Sequence, residues 1–387
     1  MKLLRLTLLT LPLLLTACSG DSSTGGVEPT PGPTPTTGSD NVIRFTTSIQ
    51  GMTRAEFRSD LSNLSGFMCA AMTNVSSPEM FFDAEEVSMK ADGTWNTDVT
   101  HYWPEQSLQF FAYAPYTLPM TVTTSVQRLS GFQVAAKPAI MTDIITAWGQ
   151  GSKPAANAAN TPVSLSFHHA LSRIEVQVSN PSDTKVKILG VKICRIPSKG
   201  TMTMQRTVTG FPTWSLTAGS AQDYIIKGST EATDATGVVT IQNSVSPQNI
   251  MFGQGGWLMI PQQLTPWSGG SSNDGAYIAV LCQILSGSGQ QLFPDEAGKY
   301  GFTAVPIDTN WEAGHKYVYT LNFFQNTGTA GLVDPEPTSP DGPDNDIDTT
   351  PGGNREGGEA VVNKPISFTV NITDWVSGAS DNTEIDF

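Results

Sequence analysis

The chain has 387 residues, a formal net charge of -14 and only 14% charged residues. An acidic chain of this kind argues against nucleic acid as a partner, because phosphate backbones are bound through Lys and Arg. Abundant Thr, Ser, Val and aromatics, with 36 Gly and 26 Pro, favour strands and turns over helices.

The N-terminus opens with a positive segment, Met1 to Arg5, and an apolar core from Leu6 to Leu15. That core is too short for a bilayer, which needs about 20 apolar residues, so residues 1–17 are expected to form a signal peptide. Its end, Leu15-Thr16-Ala17-Cys18, resembles a bacterial lipoprotein signal. The resemblance implies diacylation of the Cys18 sulfur and acylation of its new amine. Several acyl chains give stable anchoring where one is marginal. Loss of residues 1–17 removes Lys2 and Arg5 and takes the net charge from -14 to -16. Residues 18–40 are Ser, Thr, Gly and Pro with almost nothing apolar, and read as a disordered tether. No later run has the length of a membrane-spanning helix.

Next comes NVIRFTTSIQGMTRA, Asn41 to Ala55. Ile43, Phe45, Thr47 and Ile49 fall on one side of a period-2 pattern, and Arg44, Thr46 and Ser48 on the other. This predicts a half-buried strand. Gly51 breaks it, and Thr53-Arg54-Ala55 offers a basic cleavage point, with Arg58 as a nearby competitor. The segment is read as a removable strand, held in a groove that another subunit later fills.

Short strand signals then recur at Ser107 to Tyr113, Val163 to Phe167, Ile174 to Val178, Val186 to Ile193, Trp257 to Ile260, Ala276 to Leu285, Tyr317 to Phe324 and Ile366 to Ile372. Gly, Pro, Asn and Asp separate them. Many short strands punctuated in this way indicate sandwiches or barrels. The polar stretch Asn157 to Pro162 is the best boundary, giving an N-terminal β domain over 41–162 and a C-terminal one over 163–387. Cys69, Cys194 and Cys282 remain after Cys18. Their odd number and spacing argue against a disulfide framework. Cys194 and Cys282 sit in apolar runs and read as buried thiols, with a single bridge left open.

Residues 333–360 form a second low-complexity stretch with eight acidic residues and one Arg. Asp344, Asp346 and Asp348 match the first ligands of a calcium loop. However, Thr349 stands where such a loop needs Gly, and Arg355 where it needs Glu. A solvated acidic loop is the expected reading. No motif for a hydrolase, zinc protease or nucleotide site is present. His168 and His169 are adjacent in a strand and should face opposite ways, so one metal cannot readily take both. No catalytic residue, metal or cofactor is assigned.

Several ordered motifs carry a family resemblance. Thr94-Trp95, His101-Tyr102-Trp103-Pro104 and Leu108 to Pro115 resemble the N-terminal domain of the Bacteroidetes fimbrillin-like proteins. Val163 to Ser172, Trp257 to Gln262, Trp311 to Tyr319 and Ile366 to Trp375 are similar to that family's second half. The resemblance implies an all-β fold of two transthyretin-like β-sandwich domains in tandem, with no enzymatic role. It implies export as a lipoprotein to the outer membrane surface and release by an arginine-specific protease between Arg54 and Ala55. Assembly into fimbriae with other subunits by donor-strand exchange follows, and membrane contact is only through the lipid. Ile366, Phe368, Val370 and Ile372 alternate as a donor strand would, or as a last core strand. The other function class is a monomeric, surface-anchored lipoprotein binding a host or bacterial glycan or protein. Eight Trp side chains are available for sugar stacking, and Trp267, flanked by Pro and Gly, is the expected exposed one.

Overall fold

The computed structural model describes residues 41–49, 66–91, 93–231, 237–270, 274–324, 330–337, 346–348, 350 and 355–375, without the side chains of 330 and 363–368. Along the chain, β1 (Phe45–Ile49), β2 (Gly66–Thr73), β3 (Met80–Met89), β4 (Trp95–Thr97) and β5 (Leu108–Ala114) come first. They are followed by β6 (Met120–Val122), β7 (Gln127–Gln133), β8 (Ile145–Gly151) and β9 (Val163–His169). Seven of these close on themselves in the order β1, β4, β3, β2, β5, β8, β9.

The rest of the chain supplies β10 (Ser172–Asn180), β11 (Lys185–Pro197), β12 (Lys199–Thr203), β13 (Thr213–Leu216), β14 (Ala221–Lys227), β15 (Val239–Ile241) and β16 (Ser244–Asn249). It continues with β17 (Trp257–Met259), β18 (Tyr277–Leu285), β19 (Gln291–Phe293), β20 (Gly301–Pro306), β21 (His315–Phe323), β22 (Ala330–Val333) and β23 (Ala360–Asp374). Twelve of these form a sheet whose main path is β14, β11, β18, β20, β22, β23, β21, β10, β16. The fold is all-β and sandwich-like, and one short 3-10 turn at Pro138–Ile140 is its only helical element among the described residues.

Burial explains the strand sequences. β5 reads LQFFAYA and is buried at every position. Phe110 belongs to the core enclosed by the closed sheet, while Phe111 packs into the core of the second sheet. A strand covered on both faces needs no polar alternation. β18 does the same: Ile278, Val280, Cys282 and Ile284 face the large core, and Tyr277, Ala279 and Leu281 face a third cluster. Gly190 interrupts β11 because a Cβ there would meet the Ile226 carbonyl oxygen at 2.8 Å.

The two halves of the chain are interleaved. The hairpin β6–β7 pairs with the hairpin β12–β13 in a separate four-stranded sheet, through Lys199↔Gln133 and Thr203↔Arg128. β9, from the start of the expected second half, pairs with β1 and β8 rather than with the strands after it.

The described parts of the acidic stretch 333–360 depart from a solvated loop. Its first residue ends β22 and its last begins β23. Val333, Asp334, Ile347 and Asp348 are buried. Between them, Ile347 bridges Tyr300, and the Asp348 amide donates to the Tyr300 carbonyl at 2.9 Å. Val333 packs into the large core and Ile347 into a separate hydrophobic cluster.

Candidate strand-acceptor groove

β1 is held along one edge by a parallel ladder to β9, in register from Phe45↔Val163 to Ile49↔Phe167. On the other edge it meets β4 at one pair, Phe45↔Trp95. The residues before β1 are clasped more closely. The Trp103 amide donates to the Asn41 carbonyl and the Ile43 amide to the His101 carbonyl, both at 2.8 Å. From the opposite side, the Asn160 side-chain amide donates to the Val42 carbonyl at 2.6 Å. The Val163 amide donates to the Arg44 carbonyl at 2.7 Å.

The inward side chains are Ile43, Phe45 and Ile49, all buried. Phe45 meets the rings of Phe110 at 5.4 Å and Phe67 at 6.4 Å, both edge-on. Thr46 and Ser48 are exposed, as the period-2 pattern predicts. Thr47 is half-buried and its Oγ1 is enclosed with no hydrogen-bond partner. Full burial of a large apolar side chain is worth about 1.5–3 kcal/mol, so Ile43, Phe45 and Ile49 dominate the attachment.

Sequence reasoning missed the clasp. In the structure His101 stacks on Phe82 at 4.4 Å, and its Nε2 lies 3.0 Å from Glu85 Oε2. Trp103 packs edge-on against Phe110. The clasp itself is made by backbone groups, so no side-chain pattern in the sequence marks it.

Cys18, Arg54 and Ala55 lie outside the described residues. β23 pairs with β21 in an unbroken antiparallel register from His315↔Asp374 to Phe323↔Ile366, which includes Phe368, Val370 and Ile372. It also pairs with β22 through Ala330↔Pro365 and Leu332↔Ala360. Val370 is half-buried, but Ile372 is 51% exposed. The alternation therefore does not mark one continuously buried face.

Two further expectations change. Trp267 is 2% exposed and packs on Tyr277 at 5.0 Å. The chain around it folds back through Pro266↔Ala276, which the Pro and Gly flanks alone do not reveal. None of the eight Trp side chains is among the exposed large hydrophobics; Trp148 and Trp214 are half-buried and the other six buried. Cys69, Cys194 and Cys282 are all buried free thiols. Burial pushes the Cys69 thiol well up, with the Glu85 charge adding to it.

His168 and His169 take separate partners, the Val208 carbonyl at 2.8 Å and Asp143 Oδ2 at 2.7 Å. Among the described residues no group of three or more His, Cys, Asp or Glu is placed to hold a metal ion. No helix among them is long and apolar enough to cross a membrane.

β1 thus closes an otherwise continuous all-β wall, held by β9 along one edge and by a single pair to β4 on the other. The fimbrillin-like family matches residues 53–336, and the chain belongs to that family. It is therefore a non-enzymatic subunit of fimbrial or cell-adhesion type at the cell surface. No curated protein matches it significantly. Solved structures similar to it include two provisionally described cell adhesion proteins. The one from Bacteroides ovatus is 13% identical, with a TM-score of 0.44 over 87% of this chain and 98% of that one. The one from Bacteroides uniformis is 14% identical, with a TM-score of 0.40 over 87% and 100%. The fimbrial anchor protein Mfa2 from Porphyromonas gingivalis is 11% identical, with a TM-score of 0.30 over 73% and 91%.

Proposed function

We propose that this chain is an outer-membrane-exported fimbrial subunit, lipidated at Cys18 and trimmed after Arg54 by an arginine-specific protease. It assembles by donor-strand exchange into the groove that β1 vacates. The observation that carries this reading is the placement of β1. It closes the N-terminal wall between β9 and β4 yet shares only Phe45↔Trp95 with β4. A cut beyond Gly51 releases the strand from everything that follows. The edges of β9 and β4 then lie open above an apolar slot, and an open edge of this kind takes up an extended segment by backbone pairing.

β23 reads as an integral strand of its own sheet rather than a donor. Its nine-residue register with β21 is long, and its loss would expose the β21 edge. A subunit that accepts a donor without giving one suits the tip of a fibre. The glycan-binding alternative is weakened by the burial of the Trp side chains.

The test begins with the purified lipid-free chain and an arginine-specific protease. The expected products start at Ala55 and bind a fimbrial partner only after trimming. Trimmed protein that neither assembles nor binds any partner subunit sinks the reading.

A further inference from the structure

The third hydrophobic cluster encloses a charged group that the groove does not use. Lys192, on β11, is 1% exposed and lies 2.5 Å through Nζ from Oδ2 of Asp334, which is 0% exposed. Asp334 follows β22, and β18 and β20 lie between β22 and β11 in the sheet. The segment after β22 thus crosses the face of the sheet and meets a lysine rising from beneath. Nζ also donates to the Glu336 carbonyl at 2.9 Å and lies 4.5 Å from the centre of the Phe302 ring.

The two carboxylate oxygens of Asp334 are treated differently. Oδ1 accepts from the Tyr277 hydroxyl and from the Glu336 amide, each at 2.9 Å. Oδ2 is enclosed and has no hydrogen-bond partner apart from the ammonium it faces. An oxygen held by two fixed donors is arranged to carry negative charge through a tetrahedral intermediate. An oxygen in contact only with the amine is arranged to leave.

We infer that Lys192 and Asp334 condense, once the chain has folded, into an intramolecular amide between Nζ and Cγ. The atoms balance without any oxidant or co-reactant. The Lys192 ammonium gives one proton to Oδ2 across the 2.5 Å contact, leaving a neutral amine and a carboxylic acid. The amine lone pair attacks Cγ, and the charge that develops on Oδ1 is met by the Tyr277 hydroxyl and the Glu336 amide. A second proton passes from nitrogen to Oδ2. The Cγ–Oδ2 bond breaks, and Oδ2 departs as water. The nitrogen keeps one hydrogen, as an amide.

Burial disfavours the Lys192 ammonium, but the Asp334 carboxylate beside it favours it, and the pKa of Lys192 is raised. The first proton transfer is therefore uphill. Dry surroundings help it, since a buried ion pair gives up hydration that its mutual attraction only partly restores. The product is a covalent clamp between β11 and the segment after β22, in a chain whose three described cysteines are unbridged.

The experiment is intact-mass measurement of the purified, folded full chain, with tryptic mapping under denaturing conditions. The expected mass is lower by one water. A single branched peptide should join Lys192 to Asp334, with no tryptic cut after Lys192. Lys192→Arg and Asp334→Ala should restore the full mass, and Tyr277→Phe should accumulate the unlinked chain early in refolding. Recovery of the Lys192 and Asp334 peptides separately from folded wild type overturns the inference. So does a lost water that maps elsewhere. If the variants do not fold, the wild-type peptide map alone decides.

Discussion

The imidazole of His169 lies on the indole of Trp375, with 3.9 Å between ring centres and 13° between planes. His169 ends β9, the strand that carries β1, and Trp375 directly follows β23. The far side of the arrangement is fixed by Asp143, 2.7 Å from His169 Nδ1 and fully buried. The Trp375 amide donates to the Gly314 carbonyl at 2.8 Å. One stacked pair therefore ties the end of the last described strand to the wall that holds the candidate groove.

Trp375→Ala should lower stability by about 3–5 kcal/mol, the usual cost of emptying a large aromatic site. Trp375→Phe should retain most of the packing and lose about 1 kcal/mol. Urea unfolding followed by the remaining Trp fluorescence measures both. Equal midpoints for wild type and Trp375→Ala would remove the stack from any role in stability.

The strand alternation of Ile43, Phe45 and Ile49 was legible because one face is solvated and the other is not. The runs at β5 and β18 were legible as strands, but nothing local says that both faces are covered. What the sequence hides is non-local. The pairing of β7 with β12 joins residues far apart along the chain. The clasp of Asn41 and Ile43 by Trp103 and His101 is made by backbone groups, which every residue type carries. Trp267 illustrates the opposite error: Pro and Gly flanks mark a turn, but a turn can still fold its one large ring inward.

Cys69 reports on the groove. It belongs to the same core as Phe45, whereas Cys282 lies in the large core and Cys194 in the third cluster. In the intact chain all three thiols should resist alkylation at pH 8, because burial raises the pKa of each. After cleavage and loss of 41–49, Cys69 should label at least about tenfold faster, since the thiolate is the reactive form and needs access. Cys194 and Cys282 should stay protected. Mass spectrometry of the alkylated peptides reads all three at once, and uniform protection after trimming would mean that β1 does not cover this core.

Asp348 gives a pH signature. It is 4% exposed, and burial raises its pKa above 3.8, with Glu296 and Asp295 adding to the rise and the Thr350 amide opposing it. A carboxyl raised in the folded state contributes its stability below the unfolded value and loses it as pH climbs through the folded value. Its ionised form is therefore a cost at neutral pH. Asp348→Asn should stabilise the chain at pH 7 and give no gain below about pH 3.8. Thermal midpoints across pH 3 to 8 test this, and a gain that persists unchanged at the acidic end contradicts the assignment.

Thr47 and Phe45 separate the contributions within β1. A trimmed chain offered a synthetic peptide of residues 41–49 should rebind it, because the ladder on β9 and the slot under Phe45 re-form together. Phe45→Ala in the peptide removes the two edge-on ring contacts and the largest buried surface of the segment. Its cost of about 3 kcal/mol or more corresponds to at least about a hundredfold weaker binding. Ser48→Ala, at an exposed position, should change little. Thr47→Val is the sharper case. The Thr47 hydroxyl is enclosed and makes no hydrogen bond, and an unsatisfied buried polar group costs about 1–3 kcal/mol. Valine keeps the shape and removes that cost, so the Thr47→Val peptide should bind several-fold tighter than the native sequence. The native strand would then be weaker than its groove allows, which leaves room for a better-matched donor to replace it. Fluorescence anisotropy of labelled peptides gives the four affinities. A Thr47→Val peptide that binds more weakly than wild type would show that the hydroxyl is satisfied in the complex and that β1 already fits its groove.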